Sequence, residues 1–102
     1  MNTAKLLSLL GLAQKAGKLV SGVQAVEIAV RGGKSKLLIM AADCSANTKK
    51  SYTNMAAYYN VPLYETLTRE DLGACIGKHH RAAIVVTDAG FSQALGKLLA
   101  VD

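Results

Sequence analysis

Hydrophobic positions in this chain switch between two periods, and the switching predicts nine elements. Leu6, Leu9, Leu10 and Ala13 recur at i, i+3, i+4 and i+7, one face of a helix with Thr3 as expected N-cap and Gly17 as expected stop. Gly11 interrupts that helix at a cost of about 1 kcal/mol relative to Ala, which close packing would explain. Residues 18–20 (KLV) form a short strand, and Ser21-Gly22 a turn that caps a second helix. Val23, Val26 and Val30 share a face of that helix, which stops at Gly32-Gly33. Residues 37–42 (LLIMAA) are the continuous apolar run of a strand buried on both faces. A third helix covers residues 47–59, with Tyr52, Met55, Ala56 and Tyr59 as its apolar stripe and Asn60 closing it. Residues 61–65 form a strand with Pro62 near its start, where a missing N–H is tolerated. Thr68 and Asp71 are spaced as a capping box before a short helix ending at Gly77. Residues 82–87 are a second apolar strand, and Asp88 caps a last helix with Phe91, Leu95 and Leu98 facing inward.

Strands alternating with helices in this order favour an α/β sandwich around a central sheet. Composition agrees. The chain is 51% hydrophobic but has four Tyr, one Phe and no Trp, so its core is aliphatic and disorder is excluded. A single Pro and no Ser/Gly-rich run leave no linker, so residues 1–102 are expected to form one domain.

Charge adds a direction. The formal net charge is +5. Residues 1–50 carry eight Lys/Arg against two acids, while residues 51–102 carry four against five. A one-sided basic half suggests a polyanionic partner, although solubility alone also favours basic surfaces. Two cysteines, Cys44 and Cys75, make no disulfide framework and fit a reducing cytoplasm. The leucines after Lys5 are cut short by Gly11, Gln14 and Lys15, and no apolar stretch approaches bilayer length, so neither a signal peptide nor a membrane partner is expected.

Chemistry-bearing motifs do not assemble. Gly33-Lys34-Ser35 resembles the tail of a phosphate-binding loop, but Ile28 occupies the position of the required first Gly, and a helix precedes it where a strand should. Cys75, His79, His80 and Cys44 are soft ligands without zinc-site spacing. No G-x-S-x-G elbow is present and the acids are scattered. No catalytic residue, metal or cofactor is therefore expected.

Two segments remain. Ser21-Gly22-Val23-Gln24-Ala25 lies between a strand and a helix N-terminus, whose unpaired N–H groups suit a phosphate or a base edge. Gly22 permits close approach, and Gln24 offers a donor and an acceptor. Taken alone, it is an ordinary capped helix start. Gly77-Lys78-His79-His80-Arg81 combines two cations with two flat rings that can stack on unpaired bases; taken alone, it is equally a solvated loop.

The stretches LGLAQKAGKLVSG (10–22), SKLLIMAAD (35–43), NVPL (60–63), LGACIG (72–77) and AAIVVTDAGFSQAL (82–95) together resemble the kink-turn-binding ribosomal protein superfamily of L7Ae and L30e type, especially its short bacterial, YlxQ-like members. The resemblance implies a three-layer α-β-α sandwich with a four-stranded mixed sheet, and a bacterial cytoplasmic protein bound to structured RNA, ribosomal RNA or the ribosome. It carries an RNA-reading helix onto Gly22, Val23, Gln24, Ala25 and Ile28, and a loop over extruded bases onto Lys78, His79, His80 and Arg81. Tight kink-turn binders of this group have Asn, Glu and Lys where this chain has Gln24, Ala25 and Ile28. Two lost base-edge contacts, at about 1–3 kcal/mol each by analogy with DNA readout, would weaken kink-turn affinity while sparing the fold.

The expectation is thus a monomeric structured-RNA binder, with Ser21 opening the reading turn and Arg31, Lys34 and Lys36 adding field or contacts. A competing reading is a protein-interaction module that kept the fold and lost kink-turn binding, which exposure of Ala25 and Ile28 beside Val23 would favour. An enzyme fragment is a third, disfavoured by the absence of length for a cofactor domain.

Overall fold

The computed structural model describes residues 2–100. Nine elements follow in order: α1 (Thr3–Lys15), β1 (Leu19–Ser21), α2 (Val23–Arg31), β2 (Leu37–Met40), α3 (Ala46–Tyr58), β3 (Leu63–Glu65), α4 (Arg69–Cys75), β4 (Ala83–Val86) and α5 (Ala89–Leu99). The strands form one sheet in the order β1-β4-β2-β3. β4 runs antiparallel to both β1 and β2, while β2 and β3 are parallel, so the sheet is mixed.

Alternation along the central strands divides the core. Leu37, Ile39, Ala41, Ile84 and Val86 face a cluster with Leu6 and Leu10 of α1, Leu72 of α4 and Leu95 of α5. Leu38, Met40, Ala83 and Val85 face Val26, Ala29 and Val30 of α2 and Tyr52 and Ala56 of α3. The three layers are thus α1/α4/α5, the sheet, and α2/α3. Burial on both faces is why β2 and β4 are apolar at every position.

Helix ends account for most of the punctuation. α1, α2, α3 and α4 close alike: residues Gly17, Gly33, Asn60 and Gly77 take positive φ, and the next amide bonds back to Ala13, Ala29, Ala56 and Gly73 respectively. The capping box of Thr68 and Asp71 forms, and Asp88 accepts from the Phe91 amide at 2.9 Å.

Four expectations need correction. The α1 cap is Asn2, whose Oδ1 accepts from the Lys5 amide, rather than Thr3. Gly11 is not closely packed, since a Cβ there would meet nothing within 4 Å. Val23 does not join Val26 and Val30 in the core but is 72% exposed. Leu98 borders a surface hollow with Ala4, Leu9 and Leu12, and Leu99 packs on the core in its place.

Candidate functional site

Strand directions bring the two candidate segments to one end of the sheet. Ser21 closes β1 opposite Ile84 near the start of β4. Gly22 is therefore next to the segment that leads into β4, where Ala82 accepts from the Ala41 amide at 2.8 Å. The N-termini of α2, α3 and α4 point to this same end, each following a strand that ends there.

α2 begins differently from the other helices. Asn2, Ser45, Thr68 and Asp88 each cap their helix with a side chain, whereas Gly22 caps α2 without one. The first intrahelical bond runs from the Val26 amide to the Gly22 carbonyl, so the amides of Val23, Gln24 and Ala25 have no partner among the described residues. Gly22 has φ 95° and ψ 141°, backbone that side-chain-bearing residues rarely adopt, and the space where its Cβ would lie is open. Gln24 and Ala25 are exposed, and Ile28 is 70% exposed one turn on. The result is an electropositive helix end with no side-chain cap and open space beside Gly22 among the described residues.

The second segment is held by α4. The amide of Lys78 donates to the Gly73 carbonyl at 2.9 Å, and the amide of Arg81 donates to the Arg69 carbonyl at 3.0 Å, so the loop runs back along the helix. Gly73 is buried beneath it. Lys78, His79 and His80 are exposed. Arg81 is half-buried: Nη1 donates to the His80 carbonyl at 2.9 Å, and Nε is buried with no hydrogen-bond partner among the described residues. Arg81 therefore braces the loop besides carrying charge. Asp43, after β2, steadies the same end. It accepts from the Arg69 amide at 2.8 Å and lies 3.7 Å from Arg69 Nε.

Arg31, Lys34 and Lys36 are not part of this end. α2 carries the chain away from Gly22, Arg31 pairs with Glu27 at 2.9 Å, and the Lys36 amide bonds to Val86 at the far end of β4. Sequence reasoning also missed Tyr58, which is 80% exposed and meets the Tyr59 ring edge-on at 4.8 Å. Together with Val23, Glu27, Arg31 and Met55 it lines an open groove between α2 and α3. Its one sequence signal was a Tyr pair spanning the edge of the α3 stripe.

The soft ligands do not converge. Cys44 lies in the α2/α3 cluster, donating to the Ala41 carbonyl at 3.1 Å, whereas Cys75 packs on the other face. Burial and the nearby Asp71 carboxylate push the Cys75 thiol up from its ordinary pKa. No helix among the described residues is long and apolar enough to cross a membrane.

Fold and site together define a three-layer α/β domain that presents a surface at one end of its sheet. The chain belongs to the ribosomal protein L7Ae/L30e/S12e/Gadd45 family, whose model matches residues 4–96. It is 43% identical over 91 residues to the RNA-binding protein YlxQ of Bacillus subtilis (strain 168), covering 89% of this chain and 91% of that one. It is 34% identical over 94 residues to the large ribosomal subunit protein eL30 of Dictyostelium discoideum, covering 89% and 83%. A solved structure of a protein with unknown function from Bacillus halodurans C superposes with a TM-score of 0.91 at 42% identity, covering 96% of this chain and 99% of that one.

Proposed function

We propose that this chain is a monomeric, non-catalytic cytoplasmic protein that binds structured RNA, either a kink-turn-like element or ribosomal RNA. The observation that carries this is the uncapped N-terminus of α2. Three free amides, a glycine with open space above it and exposed Gln24 form a surface on which a phosphate or a base edge can be received. The loop of Lys78, His79, His80 and Arg81 adds phosphate and stacking contacts at the same end of the sheet. The YlxQ relatives are RNA-binding proteins and the eL30 relatives belong to the large ribosomal subunit, which supports the same reading. Gln24, Ala25 and Ile28 weaken base reading relative to tight kink-turn binders and shift the balance toward backbone contacts.

Gel-shift titrations with a kink-turn hairpin containing sheared G·A pairs and with ribosomal RNA fragments test this. Salt-sensitive binding to either at micromolar protein is expected, and absence of binding to both overturns it. A second reading is favoured by Val23, Ile28 and Tyr58, which expose apolar surface along α2 and α3. A protein-interaction module would bind no RNA and would lose its partner on Ile28→Lys.

A further inference from the structure

Four lysines gather at the end of the sheet opposite the reading turn. Thr87 donates its amide (2.9 Å) and its Oγ1 (3.2 Å) to the Lys18 carbonyl. The Lys36 amide donates to the Val86 carbonyl at 2.8 Å, and Ser92 Oγ donates to the Lys36 carbonyl at 3.2 Å. Lys18 and Lys36 thus flank the end of β4 from its two sides, about 10 Å apart by strand spacing. Lys15, in the last turn of α1, and Lys34, just past the end of α2, join them. All four are exposed, and none has an ion-pair partner among the described residues. Two acids on the neighbouring elements are engaged: Glu27 pairs with Arg31, and Asp88, next to Thr87, caps α5.

The reading end is different. There Lys49 pairs with Glu65 at 3.1 Å and Arg69 with Asp43 at 3.7 Å, and the carboxylates of Glu70 and Asp71 lie among the remaining cations Lys50, Lys78 and Arg81. Distance also separates the two ends. About 13 Å of strand lies between Lys18 and Gly22, against a Debye length of about 8 Å at physiological ionic strength. Lysines so placed add little field to an RNA held at the turn. Helix dipoles favour lysine after α1 and α2, which accounts for Lys15, Lys18 and Lys34 singly. They do not account for Lys36, nor for the meeting of all four around one strand end.

We propose that Lys15, Lys18, Lys34 and Lys36 form a second RNA-binding surface, which grips phosphate backbone without reading bases, so that one molecule joins two RNA segments. This rests on the RNA-binding reading of the α2 end. The test immobilises whichever of the kink-turn or ribosomal RNA probes binds more tightly, loads the full chain, and adds a fluorescein-labelled RNA duplex of unrelated sequence. Wild type is expected to recruit the duplex. The Lys15→Gln, Lys18→Gln, Lys34→Gln, Lys36→Gln variant should hold the first RNA within about threefold of wild type, recruit at least tenfold less duplex, and lower the log–log salt slope for recruitment by about 3. The corresponding fourfold Arg variant should recruit as wild type does, which separates charge from any folding defect. Equal recruitment by the Gln variant, or wild type that holds the first RNA but recruits no duplex, overturns the second surface alone. Wild type that binds neither RNA overturns it together with the reading on which it rests.

Discussion

Gly73 lies directly beneath the carbonyl of His79, so close that an added methyl would overlap it. The short helix α4 and the loop that returns along it are therefore in backbone contact, and the loop's height above the helix is set by one missing side chain. Gly73→Ala should cost about 2 kcal/mol or more in spite of better helix propensity, because backbone cannot yield as a flexible side chain does. Gly11→Ala should do the opposite and stabilise by about 1 kcal/mol, since the space is open and the φ is ordinary. Chemical denaturation of both variants checks the pair. RNA titration should show weakened binding for Gly73→Ala alone.

Restoring the reading set should raise kink-turn affinity. Gln24, Ala25 and Ile28 are all exposed, so Gln24→Asn, Ala25→Glu and Ile28→Lys together leave the core untouched. Regained base-edge contacts worth about 1–3 kcal/mol each predict at least a tenfold tighter kink-turn complex. An unchanged affinity would mean that backbone geometry at the turn, rather than its side chains, limits recognition.

Asp43 ties the end of β2 to the start of α4. Its ion pair with Arg69 is half exposed and contributes little, but its bond to the Arg69 amide serves one of the helix's free N–H groups. Asp43→Ala should cost about 1 kcal/mol, and Asp43→Asn, which keeps an acceptor, should cost less. Thermal melts of the two variants distinguish the hydrogen bond from the charge.

Alkali should destabilise the fold. Burial raises the pKa of Tyr52, with smaller contributions from Cys44 and Glu27, and burial followed by the Asp71 charge raises that of Cys75. Each group holds its proton more tightly folded than unfolded. The stability it contributes is complete below its unfolded pKa and is lost as pH rises through the folded one. Loss should begin above about pH 8.5 for the thiol and above about pH 10 for the phenol. Melting temperature measured from pH 7 to 11 should fall, and Cys75→Ser with Tyr52→Phe should flatten the decline.

Much of this architecture was legible in local pattern. The apolar runs of β2 and β4, the Thr68–Asp71 box and the Asp88 cap all form where spacing put them. The misses have physical reasons. Val23 lies on the correct stripe by period, but it is the first residue of α2 and faces an open groove rather than the sheet. Leu98 and Leu99 flank the α5 stripe almost equally by period, and the packing on α1 puts Leu99 against the core and Leu98 at the hollow beside it. The division of the lysines between two ends was not legible at all. It follows from the insertion of β4 between β1 and β2, a pairing of residues far apart in sequence that no local period records.

That insertion also fixes when the molecule comes into being. β4 hydrogen-bonds to strands that were synthesised some fifty to seventy residues earlier, with Val86 meeting both Leu19 and Leu37. Until it arrives, β1 has no neighbour and β2 has one bare edge. A nascent chain short of Val86 thus cannot finish the sheet, and such long-range closure is slow. A fragment that stops before Val86 is therefore expected to bind RNA poorly and to leave exposed the apolar strand faces that chaperones hold.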